Sequence, residues 1–510
     1  MGAVARLAGR PEEPRDECAV VGVFAPGRPV GRVALAGLIE LNHRGQESAG
    51  IAVADGARFA IAKGAGIAEV VFTFNREVPE LPGQRLAVGH DRYSTSGGAC
   101  DAQPLEFNGL VIAHNGHLTN AAQLREEYRP PSVDGARPES DTAVALQLLC
   151  HTAGRTPTER LLAGVRRLQG AYAMVLATAD TLFGVRDPHG FRPLVLGHTD
   201  GGWVLASETA AFPRMGATYE REIEPGELVA IDERGVTSYA LAPLSPAPLA
   251  RCIFELVYVS RPDSCTFGRW VEPFRRRTGE MLARKAPVRA DLVMAVPRSG
   301  IAATVGFAAS EVARGLGVAY EEGLLTNAYA GLASGFRTFI RPTGRDAAAV
   351  IKYSVVEPVV RGRDLIVVDD SVVRGSFRHV AAKLRASGAR SIHLRIASPP
   401  LVGGCRYGVD FGDGELLAHQ LPAVEDRARR LGVDSLVHVS WRELVQAAVD
   451  EELPPGADDD PEVFARHGFC GACFTRRYPT EETGAIPRRV AAAAERAGGD
   501  AADTWLRPPT

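Results

Sequence analysis

The chain has 510 residues, of which 45% are hydrophobic and 23% are charged, and its formal net charge is -3. This length and composition indicate a soluble globular protein of two or three domains. The charge gives no indication of nucleic-acid binding or of an anionic membrane partner, and no apolar run is long enough to span a bilayer.

The N-terminal stretch, MGAVARLAGRPEEPRDE, is too polar for a secretory signal, so we expect a cytoplasmic protein. The chain contains eight cysteines, and without a secretory signal these are not expected to form a disulfide framework. Cytosolic cysteines more often bind a metal or take part in catalysis.

Cys18 stands directly before the apolar run AVVGVFA, which predicts a strand. A cysteine in this position is ordinarily a small buried residue. If residues 1–17 are removed as a propeptide, however, Cys18 becomes N-terminal. Its α-amino group, with an unperturbed pKa of about 8, can then act as the base for its own thiol.

Four later segments place polar residues among small ones between apolar strands. They are LNHRGQESAG (41–50), GHDRYSTSGG (89–98), HNGHLTN (114–120) and ESDTAVAL (139–146). In this order they resemble the glutamine-site motifs of N-terminal-nucleophile (Ntn) glutamine amidotransferases. The resemblance extends over roughly residues 18–245.

The resemblance implies a role for five residues. Cys18 would be the nucleophile, and Asn115 with the backbone N–H of Gly116 would form the oxyanion hole, whose donors must face the developing negative charge. Arg92 would bind the α-carboxylate of glutamine through a paired, planar contact. Asp141 would bind the α-ammonium group.

The histidines near these motifs are predicted to be structural, since this mechanism needs no imidazole. They are His43, His90 and His189. His117 stands where the family usually has Asn, and we expect little effect because the Asn-Gly pair before it is intact. The segments at 184–197 and 204–209 continue the resemblance without a predicted chemical role, and RDPHG within the first predicts a turn.

The second half begins after a Pro-rich stretch at 241–250, LAPLSPAPLA, which indicates a domain boundary. The apolar run in IFELVYVSRPDS (253–264) predicts a strand and its RPDS a turn. A helix is predicted at 275–286, then a strand at 291–297 and a loop at 298–300.

The stretch VVDDSVVRGSF (367–377) has the pattern of a buried strand, two carboxylates, a short loop and a helix start. An open α/β sheet binds ligands at the carboxyl ends of its strands. Asp369 and Asp370 suit ribose hydroxyls or a ligand-bound Mg²⁺. The backbone N–H groups of 374–378 and the helix start suit a phosphate. The alternative is an ordinary parallel strand with an acidic end.

This stretch resembles the phosphoribosyl pyrophosphate (PRPP) motif of type I phosphoribosyltransferases. Its residues are most similar to those of the glutamine PRPP amidotransferases. The resemblance implies binding of PRPP and Mg²⁺, and ammonia passing between the two sites through an internal channel. The implied PRPP-binding residues are Ser299, Lys352, Asp369, Asp370, Ser371, Arg374, Gly375 and Ser376. Asp369 and Asp370 would hold the Mg²⁺.

Three features depart from this family. Thr326 replaces the usual Lys before Asn, the residues LASGF (332–336) are extra, and Phe377 replaces a Thr. We expect Phe377 to remove a donor and add bulk beside the 5′-phosphate. The departures motivate an alternative hypothesis, a divergent paralogue that aminates another phosphosugar or serves a specialised pathway. Neutral drift or a loose alignment of this loop is the other explanation of the same departures.

Four cysteines match the positions at which the iron–sulfur class of this family holds a [4Fe–4S] cluster. They are Cys252, Cys405, Cys470 and Cys473, the last two within a CxxC pattern. Four thiolates are the right complement for such a cluster. A zinc site with the same ligands is the alternative. Cys100, Cys150 and Cys265 receive no predicted role.

The resemblance covers about residues 18–482 and implies an α/β and α+β architecture. An Ntn glutaminase domain with four αββα layers (18–248) would follow the propeptide (1–17). A type I phosphoribosyltransferase α/β domain (249–450) and a tail carrying two cluster cysteines (451–510) would come after it. The implied partners are glutamine, PRPP and inhibitory purine nucleotides, and the implied assembly is a homo-oligomer, with a homotetramer favoured. A non-enzymatic regulatory protein on the same scaffold is the remaining alternative.

Overall fold

The structure, a computed structural model, describes residues 18–92, 101–128, 140–241, 248–326, 353–409, 411–453 and 467–480. Within them, no helix is both long and apolar enough to cross a membrane.

The strands and helices are numbered separately in chain order. The strands are β1 (Ala19–Phe24), β2 (Ser48–Ala54), β3 (Phe59–Ala65), β4 (Leu86–Arg92), β5 (Leu105–Phe107), β6 (Leu110–Leu118), β7 (Gly170–Ala177), β8 (Leu182–Arg186), β9 (Val195–Thr199), β10 (Gly202–Ala206), β11 (Ala217–Glu222), β12 (Glu227–Asp232), β13 (Gly235–Ala240), β14 (Arg251–Cys252), β15 (Cys265–Thr266), β16 (Arg269–Trp270), β17 (Leu292–Ala295), β18 (Ala319–Tyr320), β19 (Leu324–Thr326), β20 (Tyr353–Val355), β21 (Asp364–Asp369), β22 (Ser391–Ile396), β23 (Ser435–His438) and β24 (Phe469–Cys470). The α-helices are α1 (Val30–Leu41), α2 (Ala68–Val70), α3 (Ala121–Glu127), α4 (Asp141–His151), α5 (Pro157–Val165), α6 (Phe212–Met215), α7 (Val271–Lys285), α8 (Ile301–Ala309), α9 (Glu311–Gly315), α10 (Glu357–Val360), α11 (Phe377–Ala386), α12 (Leu417–Gln420), α13 (Val424–Leu431), α14 (Trp441–Ala448) and α15 (Ala472–Thr475). Short 3₁₀ segments occur at Thr209–Ala211 and Asp413–Glu415, and π-helical segments at Val71–Asn75 and Glu255–Val259.

The N-terminal half contains two antiparallel sheets, and β1 shows how they pack. The first has the strand order β11-β9-β10-β1-β4-β2-β3 and the second β13-β12-β8-β7-β6-β5. Val20 and Phe24 of β1 belong to a buried cluster shared with the second sheet. Val21 and Val23, which point the other way, pack in a cluster with α1. Because both faces of β1 are covered, its sequence is a continuous apolar run.

The second sheet has a helical layer on its outer face. Ile112 of β6 packs with Leu148 of α4 and Leu161 of α5 in one buried cluster. The order across this half is therefore helix, sheet, sheet, helix. This is the predicted αββα arrangement.

The C-terminal half is built on a five-stranded sheet in the order β18-β17-β21-β22-β23, and every pair in it is parallel. Ile366 and Val368 of β21 face a cluster that includes α7 and α8. Leu365 and Val367 face a second cluster that includes α11 and α13. Helices therefore cover both faces, and the carboxyl end of β21 opens at the edge where such sheets bind ligands.

A short parallel ladder joins the C-terminal segment to the start of the second half. In it Arg251 pairs with Phe469 and Cys252 with Cys470. Trp441 of α14 stacks at a tilt on Phe474, with ring centroids 5.3 Å apart. The segment at 467–480 is thus packed into the main body.

The predicted strand in IFELVYVS is wrong, because residues Glu255–Val259 form a π-helical turn. All residues of the run except Tyr258 are buried. A short buried apolar run cannot be assigned to strand or helix from periodicity alone. The turn predicted at RPDS is confirmed by the hydrogen bond from Ser264 N–H to Arg261 O, at 3.0 Å. The helix predicted at 275–286 is confirmed, although it begins at Val271.

Candidate functional site

Cys18 is buried, with 2% of its surface exposed, at the start of β1. β1 pairs with β4 in a register that sets Ala19 opposite Asp91, so the next position brings Cys18 beside Arg92. By the alternation along β1, Cys18 lies on the side that faces the second sheet. Arg44 Nε donates to the backbone carbonyl of Cys18 at 3.0 Å.

Asn115 and Gly116 lie on β6 of the second sheet. Asn115 is fully buried, and neither its Oδ1 nor its Nδ2 has a hydrogen-bond partner among the described atoms. Such a buried amide costs about 1–3 kcal/mol unless a ligand completes it. Gly116 has φ +138°, and a Cβ there would lie 2.1 Å from Ala171 O, so only glycine fits. His90 of β4 contacts the carbonyl of His114 on β6 at 3.1 Å, which joins the two sheets at this point.

Asp141 is the first residue of α4, and its carboxylate is held by the backbone. Its Oδ2 accepts from Leu118 N–H at 2.9 Å and its Oδ1 from Thr142 N–H at 2.8 Å. Burial raises the pKa of Asp141, but the imidazoles of His114 and His117 and these N–H groups outweigh burial and leave the pKa lowered. The carboxylate is therefore anionic and suited to an ammonium group.

Two contacts of Asp141 were missed from the sequence. His114 Nδ1 lies 3.9 Å and His117 Nδ1 3.7 Å from Asp141 Oδ2. His114 is buried and contacts Thr142 Oγ1 at 3.2 Å, and burial lowers its pKa. His117 stands two residues after Asn115 within a predicted glutamine-site segment, and this closeness in sequence was the available signal.

The histidines predicted to be structural each have a protein partner. His43 Nε2 contacts Glu208 Oε1 at 2.7 Å, and His189 Nδ1 contacts Pro248 O at 2.8 Å. Burial lowers the pKa of His90 to about 3, so this imidazole is neutral. The RDPHG turn is confirmed by the bond from Gly190 N–H to Asp187 O, at 3.0 Å.

A buried network of charges joins Cys18 to the second half of the chain. Arg44 bonds Glu208 at 2.6 Å and Glu255 at 2.8 Å and 3.0 Å. Arg192 bonds Glu255 at 2.9 Å. The side chains of these four residues are fully buried. This network was not predicted from the sequence, although a Glu inside the apolar run at 253–259 indicates a buried ion pair.

Asp369 ends β21 at the carboxyl edge of the parallel sheet, and Asp370 follows it directly. Asp370 N–H donates to Asp369 Oδ1 at 2.9 Å, and Ser371 Oγ donates to Asp370 Oδ2 at 2.6 Å. Burial raises the pKa of Tyr353, and the carboxylates of Asp369 and Asp370 raise it further. The phenol of Tyr353 therefore lies near this acidic pair.

Ser299 lies beside the same edge. A Cβ added at Gly300 would lie 2.5 Å from Val368 O and 3.2 Å from Asp369 Cα, so this glycine lets the 298–300 loop pack directly on β21. Arg298 and Thr326 both line a cavity of about 180 Å³ next to this loop. Lys352 and the extra residues 332–336 lie outside the described residues.

The loop between β21 and α11 differs from expectation in two side chains. Arg374 Nε donates to Glu415 Oε2 at 2.7 Å, so its guanidinium is paired with a carboxylate. The expectation that Phe377 adds bulk beside the phosphate site is wrong, because Phe377 is 5% exposed and packs in the core with α13. Gly375 and Ser376 complete the loop, and Ser376 is exposed. Burying an aromatic ring at the first turn of α11 in this core is more favourable in free energy than exposing it to water.

The four cysteines assigned to a cluster come from three separate segments and are all buried. Cys252 lies opposite Cys470 in the β14–β24 ladder. The carbonyl of Cys473 accepts from Val402 N–H at 2.9 Å, three residues before Cys405. Burial raises the pKa of Cys252 to about 12, with Cys405 contributing. The thiols of Cys470 and Cys473 interact electrostatically with those of Cys252 and Cys405, so the four buried sulfurs are neighbours.

A single metal ion needs its ligands closer together than an iron–sulfur cluster does. Among the described residues, no three His, Cys, Asp or Glu side chains form a group that could hold one metal ion. Of the cysteines without a predicted role, Cys150 Sγ donates to Phe107 O at 3.2 Å. Burial raises the pKa of Cys265 to about 12, and Cys100 lies outside the described residues.

Comparison with known proteins gives a consistent set of relatives. Residues 90–214 match the family described as a glutamine amidotransferase domain. The amidophosphoribosyltransferase of Mycobacterium bovis is 41% identical over 94% of this chain and 88% of its own length. That of Synechococcus elongatus is 37% identical over 94% of both chains.

A solved structure is also similar. The glutamine PRPP amidotransferase from B. subtilis, complexed with ADP and GMP, superposes with a TM-score of 0.78 at 36% identity. The match covers 91% of this chain and 97% of that one. The similarity therefore extends over both halves of the fold.

Proposed function

The chain belongs to the amidophosphoribosyltransferase family, and we propose that it uses Cys18 to release the ammonia that this reaction consumes. It is a glutamine-dependent amidotransferase. It converts PRPP, glutamine and water to 5-phosphoribosylamine, glutamate and pyrophosphate, the first committed step of de novo purine synthesis. The observation that carries the residue assignment is the partnerless buried amide of Asn115, among the described atoms, on the sheet that Cys18 faces.

In the glutaminase step, the α-amino group of Cys18, exposed by removal of residues 1–17, takes the proton of its own thiol. The sulfur attacks the amide carbon of glutamine, and Asn115 Nδ2 with Gly116 N–H donates to the resulting oxyanion. Ammonia leaves with that proton, and water then hydrolyses the γ-glutamyl thioester. Arg92 pairs with the α-carboxylate and Asp141 with the α-ammonium group.

In the transferase step, ammonia reaches C1 of PRPP through an internal channel and displaces pyrophosphate. Asp369 and Asp370 would hold the ribose hydroxyls or a Mg²⁺ ion, and a bound Mg²⁺ would neutralise charge on the pyrophosphate. The loop with Ser299 binds the pyrophosphate through backbone N–H groups. The 5′-phosphate is bound by Ser371, Gly375, Ser376 and the N-terminus of α11. Lys352 is the remaining proposed PRPP ligand.

Arg374 contributes to PRPP binding only if it leaves its partner, Glu415. The packing of Phe377 in the core removes one of the reasons for a paralogue with a different phosphosugar, the expected bulk beside the 5′-phosphate, and leaves the missing hydroxyl, the LASGF insertion and Thr326. Thr326 still supports the paralogue hypothesis, because it lines the cavity next to the 298–300 loop.

The four buried cysteines are proposed to hold a [4Fe–4S] cluster with a structural role. They would tie the C-terminal tail (451–510) to the transferase domain (249–450) and, through Cys252, to its junction with the glutaminase domain (18–248). Zinc bound by the same thiolates is the alternative occupant, and it would require the thiols to move, because no three of these described side chains are placed to hold one metal ion. We further propose a cytoplasmic homotetramer, and inhibition by purine nucleotides is supported by the ADP and GMP bound to the B. subtilis relative.

The test is glutamate release from glutamine by anaerobically purified protein, with and without PRPP and Mg²⁺. We expect strong stimulation by PRPP, with pyrophosphate formed in equal amount. A Cys18→Ala variant should lose the glutamine-dependent reaction and keep the reaction with added ammonia. Glutamate release that survives in Cys18→Ala would overturn the assignment of the nucleophile, and release indifferent to PRPP would overturn coupling of the two sites.

A further inference from the structure

The buried charge network begins at the proposed nucleophile and ends in the transferase half. Arg44 Nε donates to Cys18 O at 3.0 Å, and its two terminal nitrogens bond Glu255 at 3.0 Å and 2.8 Å. Glu255 is the first residue of the π-helical turn after β14. A single guanidinium therefore spans from the backbone of Cys18 to the start of the second half.

From these contacts we infer that Arg44 and Glu255 are positioning residues for the glutaminase reaction, and that they let the transferase half set the place of Cys18. The inference rests on the proposed role of Cys18 as nucleophile. It provides a physical cause for coupling between the glutamine site and the PRPP site. This coupling acts on the backbone position of Cys18 and needs no contact with either substrate.

The geometry of the pair favours positioning over simple stabilisation. Buried ion pairs contribute little net stability, because desolvation offsets the attraction. A guanidinium with several fixed bonds, however, defines the place of each acceptor more narrowly than a single hydrogen bond does. Arg44 has three fixed acceptors, Cys18 O and the carboxylates of Glu208 and Glu255, so moving Glu255 shifts the anchor of Cys18.

The carboxylates of Glu208 and Glu255 each bond an arginine and a serine hydroxyl. Burial raises the pKa of Glu255, but the guanidiniums of Arg44 and Arg192 outweigh burial and leave it lowered. Ser260 Oγ also donates to Glu255 at 3.0 Å. Glu208 accepts from Ser264 Oγ at 2.6 Å, within the turn that follows the π-helical segment. Both acidic groups are thus ionised and bonded to transferase-half residues.

The far end of the network reaches the cysteine-bearing loop. Arg192 donates from Nε and Nη2 to Tyr407 O, at 3.1 Å and 3.0 Å. Tyr407 N–H in turn donates to Cys405 Sγ at 3.3 Å. The chain of contacts from Cys405 to Cys18 therefore passes only through buried, bonded groups.

The test uses Arg44→Lys and Glu255→Gln in the full-length protein, purified anaerobically. A lysine can bond one of the three acceptors well, and a glutamine keeps the shape of Glu255 without its charge. We expect kcat for glutamine-dependent turnover to fall about 10- to 100-fold, as for a small misplacement of a reacting group. The KM for glutamine should stay near the wild-type value, because Arg92 and Asp141 are unchanged.

Arg186→Lys is the matched control. Arg186 is equally buried and bonds the carbonyls of Ile223 and Gly190 at 2.7 Å and 3.0 Å, with no contact to Cys18 among the bonds of the described residues. All variants are also assayed with added ammonia, which bypasses Cys18, and by intact mass for loss of residues 1–17. We expect the ammonia-dependent rate of Arg44→Lys and Glu255→Gln to stay within about twofold of the wild-type rate, because their defect lies in the glutaminase step alone.

Two results would overturn the inference. One is wild-type glutamine-dependent kcat in Glu255→Gln. The other is an equal loss of the glutamine- and ammonia-dependent rates in Arg44→Lys and Glu255→Gln, since this is a general structural defect. Failure of the proposed function is distinguishable, because Cys18→Ala would then retain glutamine-dependent turnover.

Discussion

His117 Nδ1 lies 3.7 Å from Oδ2 of Asp141, on the carboxylate that we assign to the α-ammonium group of glutamine. The same oxygen accepts from Leu118 N–H at 2.9 Å. The His117 side chain is 30% exposed, so it stands between this carboxylate and solvent. The ammonium group of a bound glutamine would join a carboxylate that the protein already holds in a fixed orientation.

Replacing Asp141 should therefore weaken glutamine binding. In Asp141→Asn the carboxamide keeps the shape but loses the charge that pairs with the ammonium group. Loss of such a charged hydrogen bond costs about 1.5–3 kcal/mol, so KM for glutamine should rise about 10- to 100-fold. Steady-state kinetics with glutamine and with ammonia measure this, and the ammonia-dependent rate should not change. His117→Asn is the control, with little change expected; an unchanged KM in Asp141→Asn would refute the assignment.

Asn115 is the second test of the glutamine site. Asn115→Ala removes a donor aimed at the developing oxyanion, and loss of one such donor typically lowers kcat about 10²- to 10³-fold. The ammonia-dependent rate should persist. Stability should not fall much, because the amide has no partner to lose among the described atoms. A glutamine-dependent kcat within a factor of a few of wild type would show that Asn115 is not an oxyanion donor.

Asp91 is fully buried on β4, and neither carboxylate oxygen has a hydrogen-bond partner among the described atoms. Burial raises its pKa well above the usual value. The folded state therefore keeps the proton after the unfolded chain has lost it, at a pKa of about 3.9. Stability is full below that pH and falls as the pH rises toward the folded pKa.

We thus expect Asp91→Val to raise thermal stability at pH 8 and to change it less at pH 4. Removing an unpaired buried polar group should add about 1–3 kcal/mol at pH 8. The measurement is the Tm by circular dichroism at both pH values. Asp101→Val is the control, since Asp101 accepts from Ser140 N–H at 3.1 Å and its loss should lower the Tm. A Tm gain of equal size at both pH values would contradict the titration of Asp91.

The cysteine assignment predicts a change in metal content. Cys473→Ser should abolish bound iron and the visible absorbance of the anaerobic protein, because a cluster needs all its thiolates. Cys265→Ser should leave both unchanged. Elemental analysis of the wild-type protein separates the two occupants. Zinc in place of iron and sulfide would reject the cluster and keep the four ligands.

Some of this architecture follows from local patterns and some depends on tertiary contacts. β1 and β21 are covered on both faces, and their short continuous apolar runs are rich in β-branched residues, which favours strand over helix. The π-helical turn at Glu255 was not predictable, because its carboxylate is stabilised by Arg44 and Arg192, far away along the chain. The motifs after Cys18 indicated that it is the nucleophile. The sequence did not show that Arg44 binds the Cys18 carbonyl, or that Arg44 is itself held by Glu255 from the second half of the chain.

Phe377 illustrates the same limit within a motif. Its position in the sequence places Phe377 directly after the phosphate loop, but the backbone at the start of α11 sets the direction of its side chain. The ring packs with Leu417 and Leu431 in the core rather than against the ligand edge. A large substituent in a binding motif therefore need not add bulk at the binding site.

Phe377→Thr should accordingly destabilise the transferase half without improving PRPP use. Large-to-small changes at buried aromatic positions cost about 3–5 kcal/mol, so Tm should fall by several degrees. KM for PRPP should stay the same or rise. Phe377→Leu is the matched control, because it keeps an apolar side chain in the core and should lose less stability. A lower KM for PRPP in Phe377→Thr, with Tm unchanged, would mean that the ring faces the phosphate site after all.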